Sequence, residues 1–268
     1  MSTYEEVAGR LAEWKHRFPA FVQALDREGV RYTSFSKVTS VEFCEARYLL
    51  ESVLHEELTP RPAYFVKGEV FHDAAARIWR GVAAGRPASL SRLLSSVARK
   101  LDDDPPHLRN AVRLAFENVL PDHEVVAVER PFVLDLGPDL PPALGIVDLL
   151  LRNGHRYVLV DHKTGKTFGE HDDLQLVLYR EWVRREHGAA DCTLLYDEYR
   201  WVNNLDTIRK PAFRRTEVRP PPGSWRAALA RLGAADETMR RIERTREPEE
   251  TGECFRCPWR PQCPHQGW

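Results

Sequence analysis

The stretch GIVDLLLRNGHRYVLVDHKTGK, residues 145–166, decides how this chain folds. Asn153-Gly154 is a strong signal for a tight turn. It stands between the runs LLL and YVLV, which are apolar at consecutive positions rather than alternate ones. A strand apolar at every position has both faces covered, whereas an exposed hairpin would alternate with polar residues. Into these runs the chain sets Asp148, Asp161 and Lys163. If Asn153 and Gly154 form a two-residue loop, Arg152 faces His155 and Asp148 lies opposite Leu159. Side chains alternate along a strand, so Leu159, Asp161 and Lys163 share a face with Asp148. The two carboxylates become diagonal cross-strand neighbours, about 7–8 Å apart at Cα. A three-residue loop would reverse that parity.

Two carboxylates on one covered face repel unless a cation or a proton sits between them. A divalent ion resolves the conflict, and hard oxygen ligands suit Mg²⁺ or Mn²⁺. Lys163 beside such an ion can orient its water and steady charge developing on a phosphate.

Around the hairpin the period of the apolar positions changes. Val7, Leu11, Trp14, Phe18, Phe21, Val22 and Leu25 recur at helical spacing, which predicts a helix over 4–28 with Gly29 as its stop. Serines and threonines in 32–54 predict a capped helix containing Cys44. Residues 68–84 read as a helix with His72 in its first turns, and 86–120 as helical with an interruption at DDDPPH, 102–107. From 124 the period is two: strands are expected over 124–136 and 192–202, a helix over 172–187, and a basic helix over 226–246. The element order predicts one α/β or α+β domain.

Gly145-x-x-Asp148 followed by Asp161-x-Lys163-Thr164-Gly165 resembles the core of the PD-(D/E)xK nucleases, in their RecB-like branch. That branch includes CRISPR-associated spacer-processing nucleases and the nuclease modules of recombination helicases. The resemblance runs from about residue 32 to 264. It implies a restriction-endonuclease-like α/β core, with a central mixed sheet and flanking helices, over 31–268. Residues 1–30 would be a helical extension and 86–120 a helical insert. It implies hydrolysis of DNA phosphodiesters, exonucleolytic on single strands or ends, leaving 5′-phosphate and 3′-hydroxyl. Asp148, Asp161 and His72 would bind Mg²⁺ or Mn²⁺, with the His162 carbonyl as a further ligand and Lys163 beside them. His72, in Gly68-x-x-x-His72, matches the branch's upstream histidine, though a single histidine in a helix is more often structural. Glu129 matches an acidic position near the site, with a surface ion pair as the plainer alternative. Gln175 and Tyr179 match a Gln-x-x-x-Tyr helix whose i,i+4 spacing puts both on one face.

Five cysteines are an odd number, which argues against a disulfide framework. Cys254, Cys257 and Cys263 crowd one short tail, and a tetrahedral metal or a cluster needs a fourth ligand. Spacing alone does not choose between Cys44 and Cys192, although Cys192 opens an apolar strand where a small buried hydrophobe fits. The resemblance chooses Cys44 and implies a [4Fe–4S] cluster that clamps the N- and C-terminal parts together. Structural Zn²⁺ on the same four thiolates is the alternative.

Net charge is −1, which gives no global basic field, but residues 200–246 hold 12 Arg and Lys against 5 Asp and Glu. That stretch is either a solvated helix face or a surface that tracks phosphates. No apolar run is long enough for a membrane span. The acidic, polar start is not a secretory signal, so a cytoplasmic protein is expected. Neither GxxxxGK[ST] nor G-x-S-x-G occurs, which leaves out a nucleotide motor and a serine-hydrolase elbow. DNA is the expected partner, with a helicase or CRISPR integrase as a further one. The alternatives are a nuclease subunit gated by such a partner and a nucleic-acid binder with little cleavage of its own.

Overall fold

The computed structural model of the chain describes residues 3–14, 17–101, 105–189, 191–209, 211–249 and 252–265. The aspartates at 102–104 and Lys210 lie outside them. The chain forms two compact units, one from residues 1–62, 131–145 and 222–268, the other from 63–130 and 146–221.

The second unit is built on the hairpin. Strand β3, Ala143–Asn153, pairs antiparallel with β4, Arg156–Gly165, in the register Asn153↔Arg156 to Leu149↔Val160. The turn is therefore Gly154-His155, not Asn153-Gly154. Gly154, at φ +60°, takes the first central position, where a II′ turn wants glycine. The register is shifted by two residues from the sequence expectation, so the parity is unchanged. Asp148 and Asp161 stay on one face, one step beyond the last regular pair. Leu149, Leu150, Leu151, Leu159 and Val160 are all fully buried, so the continuous apolar runs do reflect cover on both faces. Each such side chain contributes about 1.5–3 kcal/mol by leaving water.

Strand β5, Cys192–Arg200, lies parallel to β4, and β6, Phe213–Val218, runs antiparallel to β5. The sheet of this unit is mixed, in the order β3-β4-β5-β6, with β2, Glu124–Leu134, also on β3. Helix α5, Ala63–Ala83, covers one face of this unit's strands. Its Trp79 packs on Leu149, Leu151, Val158, Val160 and Leu195. Its Phe71 packs with Tyr199 and with α6, Leu90–Ala98, and α7, Pro106–Glu117, which are the two helices expected in 86–120. Helix α8, Leu174–His187, lies on the face that carries Lys163. This is an α/β architecture with a mixed central sheet and flanking helices.

In the first unit, the helix expected over 4–28 is two: α1, Tyr4–Glu13, and α2, Phe18–Arg27. Pro19 explains the restart, since proline suits a helix's first turn and not its interior. Val7, Phe21, Leu25, Tyr32, Val133 and Leu144 make this unit's core. The short strand β1, Thr33–Ser34, pairs parallel with the start of β3. Cys44 does not lie within a helix. It is an extended residue, φ −169° and ψ 119°, between α3, Phe35–Phe43, and α4, Glu45–Tyr48. Helix α9, Ser224–Thr245, is the expected basic helix. Its Arg231 and Arg241 are paired with Glu42 and Glu45.

The tail docks within this unit through hydrogen bonds. Trp259, 2 % exposed, donates its indole N–H to Glu51 at 2.7 Å, and Gln262 meets the Glu57 carbonyl at 3.0 Å. No disulfide joins any of the five cysteines. Hydrogen bonds such as these join the N- and C-terminal parts of the unit, with Tyr48 to Glu243 and Glu249 to Glu45 among them. No helix among the described residues is long and apolar enough to cross a membrane.

Candidate metal centre

Each expected site residue outside the cysteines lies in the second unit. His72 projects from the middle of α5. Its Nδ1 stands 3.6 Å from a Glu129 oxygen and 3.6 Å from Asp148 Oδ2. One donor atom from each of these three residues lies within 4.8 Å of the others, the one such group of three or more among the described residues. Glu129 reaches this position by an unusual backbone. Within strand β2 it adopts φ +48°, a left-handed conformation costing a non-glycine residue about 1–3 kcal/mol. The kink re-aims a carboxylate that a regular strand would direct elsewhere.

Asp148 accepts a hydrogen bond from the His162 backbone N–H at 2.8 Å. This bond ties the two strands together where their regular ladder ends. Asp161, 1 % exposed, lies outside the group of three. Its Oδ2 stands 2.7 Å from Lys163 Nζ, an ion pair whose angle is not that of a hydrogen bond. Lys163 donates to Gln175 Oε1 at 2.8 Å, and the Gln175 amide donates to the Tyr179 hydroxyl at 2.7 Å. The one-face spacing expected for Gln175 and Tyr179 on α8 thus becomes a relay that holds the lysine. The His162 ring faces away from this relay, against Phe71 and Tyr199, and its Nε2 has no hydrogen-bond partner.

The electrostatics follow from burying this much charge. Burial lowers the His72 pKa, but Asp148 and Glu129 outweigh it and carry the imidazolium to about 9. Burial raises the Asp161 carboxyl to about 6; Lys163 opposes the rise and Asp148 adds to it. Burial likewise lifts Asp148, against His72. His162 is driven down to about 3 by burial and then by the neighbouring cations, so it is neutral. The site sets Glu129, Asp148 and Asp161 against His72 and Lys163, more carboxylate than its own cations balance, and a divalent ion meets that deficit. Two carboxylates and an imidazole are hard and borderline donors, a set that accepts Mn²⁺ as readily as Mg²⁺.

Beside Lys163, sequence reasoning missed a second layer of charge. Strand register sets Lys163 next to Glu198 and Glu198 next to Arg214. Buried Glu198 receives Arg214, His171 at 2.9 Å and the Gly169 N–H at 3.1 Å. Buried Asp197 is clasped by Arg215 through two 2.7 Å bonds. The available signal was the Arg214-Arg215 pair in a strand, two adjacent cations that point to opposite faces and each meet an acid on the neighbouring strand.

In the other unit Cys44, Cys257 and Cys263 come into electrostatic range of one another, and Cys254 into that of Cys263. Burial raises the Cys257 and Cys263 thiols, and Cys44 adds to both. No three of the sulfurs among the described residues close to within 4.8 Å. Cys192 belongs to the second unit, in β5, its thiol pushed up to about 12 by burial.

A family model of the PD-(D/E)XK nuclease superfamily matches residues 32–264. No curated protein matches the chain. Among solved structures, a Eubacterium rectale protein described as a candidate exonuclease aligns over 92% of this chain and 93% of its own, with TM-score 0.56 and 11% identity. At that identity the likeness concerns the fold. A second structure, SSO0001, covers 75% of this chain and 95% of its own at 17% identity, with a TM-score of only 0.35.

Proposed function

Because the chain belongs to the PD-(D/E)XK nuclease superfamily, we propose that it is a nuclease dependent on Mg²⁺ or Mn²⁺ that hydrolyses DNA phosphodiesters from single strands or ends. The observation that carries this reading is the convergence of His72, Glu129 and Asp148 beside the Asp161–Lys163–Gln175 chain. His72, Glu129 and Asp148 would hold the ion, with Asp161 and the His162 carbonyl as further ligands. A bound divalent ion supplies Lewis acidity toward a phosphate oxygen and lowers the pKa of water.

The chain's own groups do the rest. Lys163 presents a fixed positive charge to the phosphate and orients the attacking water. Gln175 holds that ammonium in place, and Tyr179 holds the Gln175 amide so that its oxygen faces the lysine. Burial of Asp161 keeps its carboxylate poised for a cation rather than solvated. Repair or CRISPR spacer processing in the cytoplasm, alone or with a helicase or integrase, is the setting we propose.

We also assign a structural [4Fe–4S] cluster to Cys44, Cys254, Cys257 and Cys263. A tetrahedral zinc ion, with Zn–S of about 2.3 Å, wants its thiolates roughly 3.8 Å apart. A four-iron cluster binds each thiolate through a different iron and accepts a wider spacing. Cys44, Cys257 and Cys263 lie in one unit and within electrostatic reach of one another, which supports a shared centre, with structural Zn²⁺ as the alternative.

Purified protein with Mn²⁺ and end-labelled single-stranded DNA tests the proposal. Cleavage that disappears in Asp148→Asn and Lys163→Ala is expected. Cleavage that persists in both overturns it.

A further inference from the structure

The sheet register that brings Lys163 beside Glu198 and Arg214 continues outward to an aromatic ring. Phe168 follows the Asp161-x-Lys163 strand on the loop to α8 and is half-buried. Two guanidinium groups lie near its ring, Arg214 at 4.8 Å and Arg200 at 5.7 Å from the centroid. The loop is fixed from below. Gly169 donates its N–H to buried Glu198 and accepts from Arg214 at 2.9 Å, and His171 is held by the same carboxylate. Exposed Lys166 adds a third cation on this loop.

We infer that Phe168, with Arg200 and Arg214, is a ledge on which a base of an unpaired strand stacks, next to the phosphodiester held at Lys163. The inference rests on the nuclease reading above and deepens it by naming the feature that selects unpaired strands. Core packing does not account for the arrangement, since the half-buried ring lies against two guanidinium groups. A plain surface cluster does not account for it either, since one buried acid holds Arg214, Gly169 and His171 together. Cations beside an aromatic face are what single-strand binding requires: phosphates meet the guanidinium groups, and any base offers a π-face to the ring. A base pair inside a duplex offers no such face. The occupant is therefore single-stranded nucleic acid.

The test is binding of a fluorescein-labelled single-stranded oligonucleotide, and of its duplex, to the full chain in Ca²⁺. Phe168→Ala is expected to weaken single-strand binding by about five- to hundredfold and to leave duplex binding unchanged. Phe168→Trp should retain it. Phe168→Leu, which keeps apolar bulk without a π-face, should behave as the alanine variant and covers the case in which alanine unfolds the loop. Arg214→Gln should reduce the salt dependence by about one counterion. A 2-aminopurine placed beside the cleaved position should lose its quenching in Phe168→Ala. Wild-type binding that is indifferent to Phe168→Ala and Phe168→Leu overturns the ledge alone. A wild-type chain that binds neither nucleic acid overturns the nuclease reading and the ledge with it.

Discussion

Lys163 Nζ lies 2.7 Å from Asp161 Oδ2, two residues back on the same strand, without hydrogen-bond alignment to it. Its aligned bond goes to Gln175 instead. The ammonium is thus anchored by a neutral amide and keeps its charge available beside the carboxylate.

Removing that charge should act on the chemistry more than on the fold. Lys163→Ala is expected to lower kcat by about 10²–10³-fold, the usual cost of one preorganised donor to developing charge. Gln175→Ala leaves the lysine present but loosely held, and should cost less. Single-turnover kinetics on both variants, at saturating Mn²⁺, measures the difference. Equal losses would mean that Gln175 touches substrate directly.

Ion binding should release a proton. With its pKa raised to about 9, His72 is an imidazolium at neutral pH in the metal-free protein and must lose that proton to become a ligand. A raised folded pKa gives stability that is full below about 6.5 and lost as pH rises through 9. The metal-free protein should therefore weaken between pH 6.5 and 9, while Mn²⁺ should raise Tm more at pH 8.5 than at pH 6.5. Asp161, raised to about 6, has the opposite charge type: its contribution is full below about 3.9 and lost by pH 6. It is silent in that window. Thermal melts with and without Mn²⁺ check the sign, and His72→Ala should flatten the difference.

The left-handed Glu129 offers a test of strain at a functional position. Glu129→Ala and Glu129→Gly both remove the carboxylate, so both should lose the Mn²⁺-induced rise in Tm. Only glycine relieves the φ of +48°. The glycine variant should be more stable than the alanine variant by about 1 kcal/mol, read from urea denaturation. A less stable glycine variant would mean that the kink carries no cost.

The docked tail separates two sources of stability. Trp259→Phe removes the indole bond to Glu51 while keeping most of the buried bulk. It should destabilise the protein by about 1–2 kcal/mol whether or not iron is bound. Cys254→Ser should leave the metal-free protein nearly unchanged and abolish the stabilisation gained on iron–sulfur reconstitution. Chemical denaturation before and after reconstitution tests both. A Cys254→Ser variant that gains as much as wild type would remove this cysteine from the cluster.

The hairpin was legible because apolar runs with charges at one parity admit few folds. Its turn was misplaced by one residue, yet a register error of two leaves every side chain on its face, so the acidic pair survived. Helices α5, α8 and α9 were legible from period alone. Glu129's role was only half visible, because a left-handed residue inside a strand has no sequence signal when the residue is not glycine. The break between α1 and α2 was marked by Pro19 and overlooked, since the apolar spacing runs on through it. Arg214 and Arg215 read as part of a basic stretch, yet each is matched by an acid on β5 that only the strand register brings alongside.

Glu198 binds a guanidinium from β6, and an imidazole and a backbone amide from the loop before α8. A joint of that kind cannot loosen by degrees. Losing any one tie leaves unbalanced charge in a dry place and weakens the others. The segment from Lys166 to His171 should therefore exchange its amide hydrogens as one block, seated or released as a whole.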